Sequence, residues 1–248
     1  MIFTHALPRS NKEALHMTKA NPFLEAFEDP AHAARYSEGP AKFMPGYRDV
    51  QRMAGVLMRE HAPTDGKVLV HGAGGGLELE VFAQENPDWT FVGVDPAQAM
   101  LDVAAERLGA FMERTDLHHG YIETAPEGPF DAATSLLTLH FLEADARRKT
   151  VSEIISRLKP GAPLVVAHAS FPSKTEERDI VLSRYKAFGV ASGVEPEMAC
   201  RARDAVAIGL PHLDPVQNEE LLRDAGLVGV SSFYSAFSWH GWVGYAPG

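Results

Sequence analysis

From Lys67 onward, short apolar runs of strand length alternate with longer stretches of helical period, and this alternation constrains the fold more than any other feature of the chain. KVLVH (67–71), TFVGVD (90–95), DLHHGYI (116–122), FDAATSLL (130–137) and APLVVAHAS (162–170) read as strands. Between them, 77–85, 97–113 and 144–158 read as helices, the last stopped by Lys159-Pro160-Gly161. Strands alternating with helices build βαβ units, and therefore a mostly parallel sheet with right-handed crossovers and helices on both faces. After the helix PVQNEELLRDAGL, which Gly226 caps, two aromatic-rich strands at 228–236 and 238–245 lie too close in sequence for a crossover. They form an antiparallel hairpin. The expected fold is Rossmann-like α/β with seven strands.

Two regions stand outside the alternation. Residues 1–62 form a helical N-terminal extension that caps the core, with Pro8, Pro22, Pro30 and Pro40 interrupting its first part. Near its end Val50, Met53, Val56 and Leu57 recur at helical spacing, which predicts an amphipathic helix. The core occupies 63–248, with 173–214 read as a helical lid insertion.

Composition narrows the functions. A formal charge of −10, from 23 Lys+Arg against 33 Asp+Glu, opposes bulk binding to phosphate backbones and favours a small-molecule substrate. Cys200 is the sole cysteine, so no intrachain disulfide forms. No cysteine cluster offers a metal site, and the pair His118-His119 lacks the i, i+4 spacing of a chelating helix face, so no metal is expected. The N-terminus resembles neither a signal peptide nor a membrane span, and the chain reads as cytoplasmic. The aromatic hairpin FSWHGWVGY is a surface for covering the core or building a homodimer.

The chemistry concentrates in VLVHGAGGGLELEVF, where Gly72, Gly74 and Gly76 follow a strand and open a helix. Glycine turns tightly and leaves no Cβ between the backbone and a ligand. Asp95 ends the next strand, 19 residues past Gly76, and a carboxylate there accepts the hydroxyls of a ribose. Dinucleotide turns carry G-x-G-x-x-G; this one reads G-x-G-x-G, with Glu78 and Glu80 in the helix's first turn. That charge repels a pyrophosphate and suits a ligand bearing an ammonium and a sulfonium, which points to S-adenosylmethionine before NAD.

In order, VLVHGAGGG, FVGVDPAQAML, FDAATSLLTLHFL and ISRLKPGAPLVV resemble the class I S-adenosylmethionine-dependent methyltransferases, from about Lys67 to Val166, and AGLVGVSSF with the hairpin extends the likeness. The resemblance implies a seven-stranded sheet with one antiparallel strand and S-adenosylmethionine as cofactor. Narrower segments, KFMPGYRDV and SLLTLHFLE, resemble the carboxy-S-adenosylmethionine synthases, which use prephenate in the modification of wobble uridine in tRNA. On that likeness Tyr47 lies over the ligand, Gly72, Ala73 and Gly74 line its methionine end, and Asp95 with Pro96 addresses the ribose. Tyr121 and Ile122 take the adenine position and Ser135 the place of an asparagine after the fourth strand.

The departures bear on the reaction. Val70 stands where most methyltransferases carry an acidic residue, and Tyr121 replaces an aspartate of the synthase group. The synthases hold the extra carboxylate of carboxy-S-adenosylmethionine with a lid arginine; here Asp204 occupies that position, with Arg203 beside it and Arg201 nearby as substrate-binding candidates. His140, after the fourth strand, is the candidate general base. His71 reads as a structural residue bonded beneath the turn, and His168 ends the fifth strand at the functional edge. Three functions remain open: a small-molecule methyltransferase, a carboxy-S-adenosylmethionine synthase, and a non-catalytic nucleoside-binding module.

Overall fold

The computed structural model describes residues 26–36, 39–172 and 174–248; Pro8 and Pro22 lie outside that set. Pro30 and Pro40 do not interrupt helices but begin them, opening α1 (Pro30–Tyr36) and α2 (Pro40–Phe43). A first helical position needs no N–H and favours the fixed φ of proline. α3 (Tyr47–Arg59) follows, entered through Gly46 at φ 65°. Its buried face is Val50, Gln51, Ala54, Gly55 and Met58, whereas Val56 is exposed. The expected helix is present but rotated, because Val50, Ala54 and Met58 at i, i+4 and i+8 make the stripe that meets the sheet.

The core alternates as expected: β1 (Lys67–His71), α4 (Leu77–Glu85), β2 (Thr90–Asp95), α5 (Gln98–Leu108), β3 (Thr115–His119), β4 (Ala132–Leu136), α6 (Ala144–Ile155) and β5 (Pro163–Ala169). α5 ends earlier than its periodicity suggested. Gly109 takes φ 50°, and a 3-10 turn carries 109–114 into β3. α7 (Thr175–Ala191) and α8 (Pro196–Gly209) form the predicted helical insertion. α9 (Pro215–Asp224) starts on a complete capping box between Asp214 and Gln217. β6 (Val228–Ala236) and β7 (Trp239–Tyr245) close the chain.

One sheet has the order β3-β2-β1-β4-β5-β7-β6. β1 to β5 pair in parallel, and β7 runs antiparallel to both β5 and β6. The seven-stranded expectation holds. Alternate residues of β1 serve the two faces: Val68 and Val70 pack with α3, α4 and α7, and Leu69 packs with α6 and α9. On the second face a buried polar network replaces apolar packing. Arg147 of α6 donates to Asn218 Oδ1 of α9 at 2.5 Å, and the same oxygen is 3.0 Å from His168 Nε2 of β5. His168 is therefore buried in this network and does not line the cavity described below, with its imidazole held well below its ordinary pKa by burial and by Arg147.

The hairpin spends its aromatic surface within the chain. Trp239 and Trp242 are buried, while Phe237 in the turn is exposed. No helix among the described residues is long and apolar enough to cross a membrane.

Candidate functional site

β1 is flanked by β2 on one side and β4 on the other, so successive connections leave it in opposite directions. Such a switch point opens a crevice at the carboxyl ends of the strands. Here it is a cavity of about 310 Å³, lined by Gly72 and Gly74 after β1, Asp95, Pro96 and Ala97 after β2, Tyr121 and Ile122 after β3, and Leu137 and Thr138 after β4. Phe27, Tyr36 and Tyr47 complete it from the N-terminal side. The dimensions suit a nucleoside-sized ligand.

The turn is tied to β2 at several points. Gly72 N and Ala73 N both donate to Val94 O, at 2.8 and 3.0 Å. Gly72 adopts φ 74°, and a Cβ there would lie 2.0 Å from Thr138 Oγ1, so only glycine fits. Gly74 N donates to Asp95 Oδ2 at 2.9 Å, and Ala97 N donates to Asp95 Oδ1 at 2.9 Å. The carboxylate that should receive a ribose therefore also holds the turn. Each of its oxygens keeps a second lone pair for a ligand hydroxyl. Burial pushes the Asp95 carboxyl up, and the two N–H donors oppose the shift.

Tyr47 reaches the cavity because the C-terminal hairpin clamps the turn before it. The Tyr234 hydroxyl donates to Pro45 O, and Trp239 Nε1 donates to Phe43 O at 3.0 Å. The phenols of Tyr47 and Tyr36 are both driven above their ordinary value, first by burial and then by Glu78.

Several candidates sit elsewhere. Gly76, at φ 77°, faces Ala104 of α5 at 3.0 Å from an added Cβ; it permits helix packing and does not line the cavity. Ala73 is buried beneath the turn. Ser135 is fully buried, 2.9 Å from His71 Nδ1, and does not line the cavity. His71, held by Ser135, itself lines the cavity, and burial lowers its pKa to about 4. His140 lies outside the cavity lining, packed against Phe141 and Trp239, with Nδ1 accepting from Ala169 N at 3.3 Å. Packed there and outside the cavity, it is not placed to act as the base; burial, then Arg147, lowers its pKa to about 3. Arg201 pairs with Glu197 at 2.6 Å and Arg203 with Asp204 at 2.7 Å. Neither arginine reaches the cavity, and none of residues 174–214 lines it. The cover comes from the N-terminal side instead, since Phe27 meets both Tyr36 and Phe141 edge-on at centroid distances of 5.0 and 5.7 Å.

Sequence reasoning passed over Phe27, Tyr36, Gln51, His119 and Phe141, all of which line the cavity. Only the helical spacing around Tyr36 offered a signal. It also treated Glu78 as part of a generally acidic helix start. Glu78 is 7 % exposed and lines the cavity, and its Oε1 has no hydrogen-bond partner among the described residues. Burial, then the nearby Asp95, pushes its carboxyl up to about 8.

Residues 68–161 match the profile of a family described as a methyltransferase domain. This segment is similar to a methyltransferase domain. Proteins named carboxy-S-adenosyl-L-methionine synthase from Campylobacter lari and Staphylococcus epidermidis are 20% and 22% identical, each over 90% of this chain and 96% of its own length. Human N-acetylserotonin methyltransferase, solved in complex with S-adenosylmethionine, superposes with a TM-score of 0.63 at 13% identity; the match covers 95% of this chain and 62% of that one, less than two thirds. The fold is that of these methyltransferases.

S-adenosylmethionine is the cofactor of such a domain, and the residues present fit it. Asp95 retains acceptor capacity, Gly72 and Gly74 leave the backbone bare, and Glu28, Glu78, Asp95 and Glu123 line the cavity without a lysine or arginine among the described residues.

Proposed function

We propose that the chain binds S-adenosylmethionine through Tyr47, Gly72, Gly74, Asp95, Pro96, Tyr121 and Ile122, and transfers its methyl group to a small molecule. The observation that carries this reading is the charge of the cavity: four carboxylates and no lysine or arginine line it among the described residues. That lining favours a ligand of net positive charge over one bearing a pyrophosphate or an additional carboxylate.

When bound, S-adenosylmethionine supplies an electrophilic methyl on a sulfonium. The protein's own contribution is placement. Asp95 accepts from the ribose, Tyr121 and Ile122 border the base, and Tyr47 offers an aromatic face to the cationic end. Leu136, Leu137, Phe141 and Leu142 give the acceptor side an apolar wall that excludes water and holds the acceptor close. No side chain is assigned as base.

Differential scanning fluorimetry with S-adenosylhomocysteine tests the cofactor, because a ligand bound only by the native state raises Tm by mass action. A shift at saturating nucleoside and none with NADH is the expected result; no shift with the nucleoside sinks the reading.

The likeness to the synthases supports a second reading, production of carboxy-S-adenosylmethionine. Against it, Arg201 and Arg203 are paired on α8 away from the cavity. Mass spectrometry of nucleoside retained through purification separates the two, since the synthase reading requires a carboxylated sulfonium.

A further inference from the structure

Binding of a ribose accounts for Asp95; of the other three carboxylates of the cavity, Glu28 and Glu123 are exposed and only Glu78 is buried. It sits in the first turn of α4, one residue past Leu77, which lines the same wall. Asp95 already has two backbone N–H donors, whereas Glu78 Oε1 has no partner among the described residues despite being buried. Native proteins seldom leave a buried acceptor unsatisfied unless a ligand, water or ion completes it.

Among the described residues, no lysine or arginine lines the cavity, and its two histidines are His71, held by Ser135, and His119, held by Pro96 O. Tyr36 of α1, Tyr47 and Gln51 of α3 and Asp95 of β2 share the wall with Glu78, and all are acidic or neutral. Arg107 of α5, whose charge acts on Tyr47, is engaged with Gly75 O at 2.8 Å and Glu80 at 3.5 Å. A cationic ligand supplies the positive charge that the described lining lacks. Of the two cations on S-adenosylmethionine, the sulfonium has no N–H or O–H and cannot donate a hydrogen bond, whereas the ammonium carries three donors. An orphaned acceptor selects the ammonium.

We infer that Glu78 is the counter-ion of the ligand's α-ammonium group and selects nucleosides that carry that group. The inference rests on the reading that the cavity takes S-adenosylmethionine. It also gives this chain an acidic partner for the cofactor although Val70 stands where most methyltransferases carry a carboxylate. The raised pKa of Glu78 agrees with a carboxyl awaiting a cation.

Isothermal titration calorimetry at pH 8 with the full chain and its Glu78→Gln variant tests this, using S-adenosylhomocysteine, its analogue with hydroxyl in place of the amine, and 5′-methylthioadenosine. The wild type is expected to bind S-adenosylhomocysteine about tenfold or more tighter than the hydroxyl analogue. Glu78→Gln should lose about tenfold for S-adenosylhomocysteine and stay within about twofold for the two amine-free ligands. Equal loss across all three ligands would mean a structural role and overturn the inference, as would unchanged discrimination in the variant. If the variant does not fold, the wild type still decides, because equal affinity for the amine and hydroxyl ligands refutes the assignment. A wild type that binds none of the three nucleosides refutes the cofactor reading itself, a different and recognisable failure.

Discussion

Replacing Gly72 by alanine tests the geometry of the turn most directly. The added Cβ would lie 2.0 Å from Thr138 Oγ1, 2.6 Å from Cγ2 and 2.7 Å from Cβ. Ordinary contact begins near 3.4 Å, so rotating Thr138 relieves the first two clashes and leaves the third. Rotation also breaks the bond from Thr138 Oγ1 to Leu136 O at 3.0 Å, worth about 1 kcal/mol. Backbone displacement to clear the Thr138 Cβ costs about 1–3 kcal/mol as overpacking. Holding alanine at φ 74° adds about 1–2 kcal/mol. The sum is about 3–6 kcal/mol, a large part of the stability of an ordinary domain. A second glycine at Thr138 removes the contact and leaves only the backbone cost. Urea unfolding of Gly72→Ala, Thr138→Gly and the double variant, followed by circular dichroism, should therefore show a favourable coupling of about 2–4 kcal/mol. A single Gly72→Ala variant within about 1 kcal/mol of wild type, or strict additivity, would refute the described approach of Thr138 to the turn.

Three further outcomes are expected. His140 has a folded pKa near 3 against an ordinary 6.5, so the unfolded chain binds its proton first as pH falls and stability is lost through that window. His140→Phe should flatten the fall of unfolding free energy by about 1.4 kcal/mol per pH unit between pH 6 and 4, measured by urea titration; an unchanged slope contradicts its burial. Glu78 has the opposite sign: its folded pKa near 8 exceeds the ordinary 4.5, so its stability contribution is full at low pH and declines as pH rises to 8. Without ligand, Glu78→Gln should be more stable than wild type by up to about 3 kcal/mol at pH 7 and equal to it near pH 4, and a variant less stable at pH 7 would show that the carboxylate is already paired. Finally, Tyr234→Phe removes the donor to Pro45 O; it should cost about 1 kcal/mol and weaken S-adenosylhomocysteine binding severalfold, because Tyr47 follows that turn. An unaffected Kd separates the clamp from the site.

Much of the fold was legible because period alone determines it. The runs 67–71, 77–85 and 90–95 have the observed bounds of β1, α4 and β2, since each apolar pattern is interrupted by residues that cannot continue it. The glycine turn and Asp95 were legible for the same local reason: backbone freedom and a strand-end carboxylate are properties of single positions. Boundaries blurred where conformation depended on neighbours, as at Gly109, whose positive φ ends α5 early. Side-chain direction was lost altogether in the longer-range cases. Nothing local distinguishes His140, packed on Trp239 from the hairpin, from a histidine facing the crevice. Nor does spacing reveal that α7 and α8 stay off the cavity while Phe27 and Tyr36 line it.

The sequence by itself therefore determined the alternation, the seven strands, the bare turn at Gly72 and Gly74 and the acidic residue that answers it. Tertiary structure decided what each of these residues faces. Glu78 shows the difference plainly. As one of two acids in a helix start it signals only a preference of the dipole for negative charge. Buried beside Tyr36, Tyr47 and Asp95, with no lysine or arginine among the described residues of the cavity, it is a charge that the fold leaves for a ligand to neutralise. The reason is physical: charge type is written in the residue, but desolvation and missing partners exist only once distant segments have closed around it.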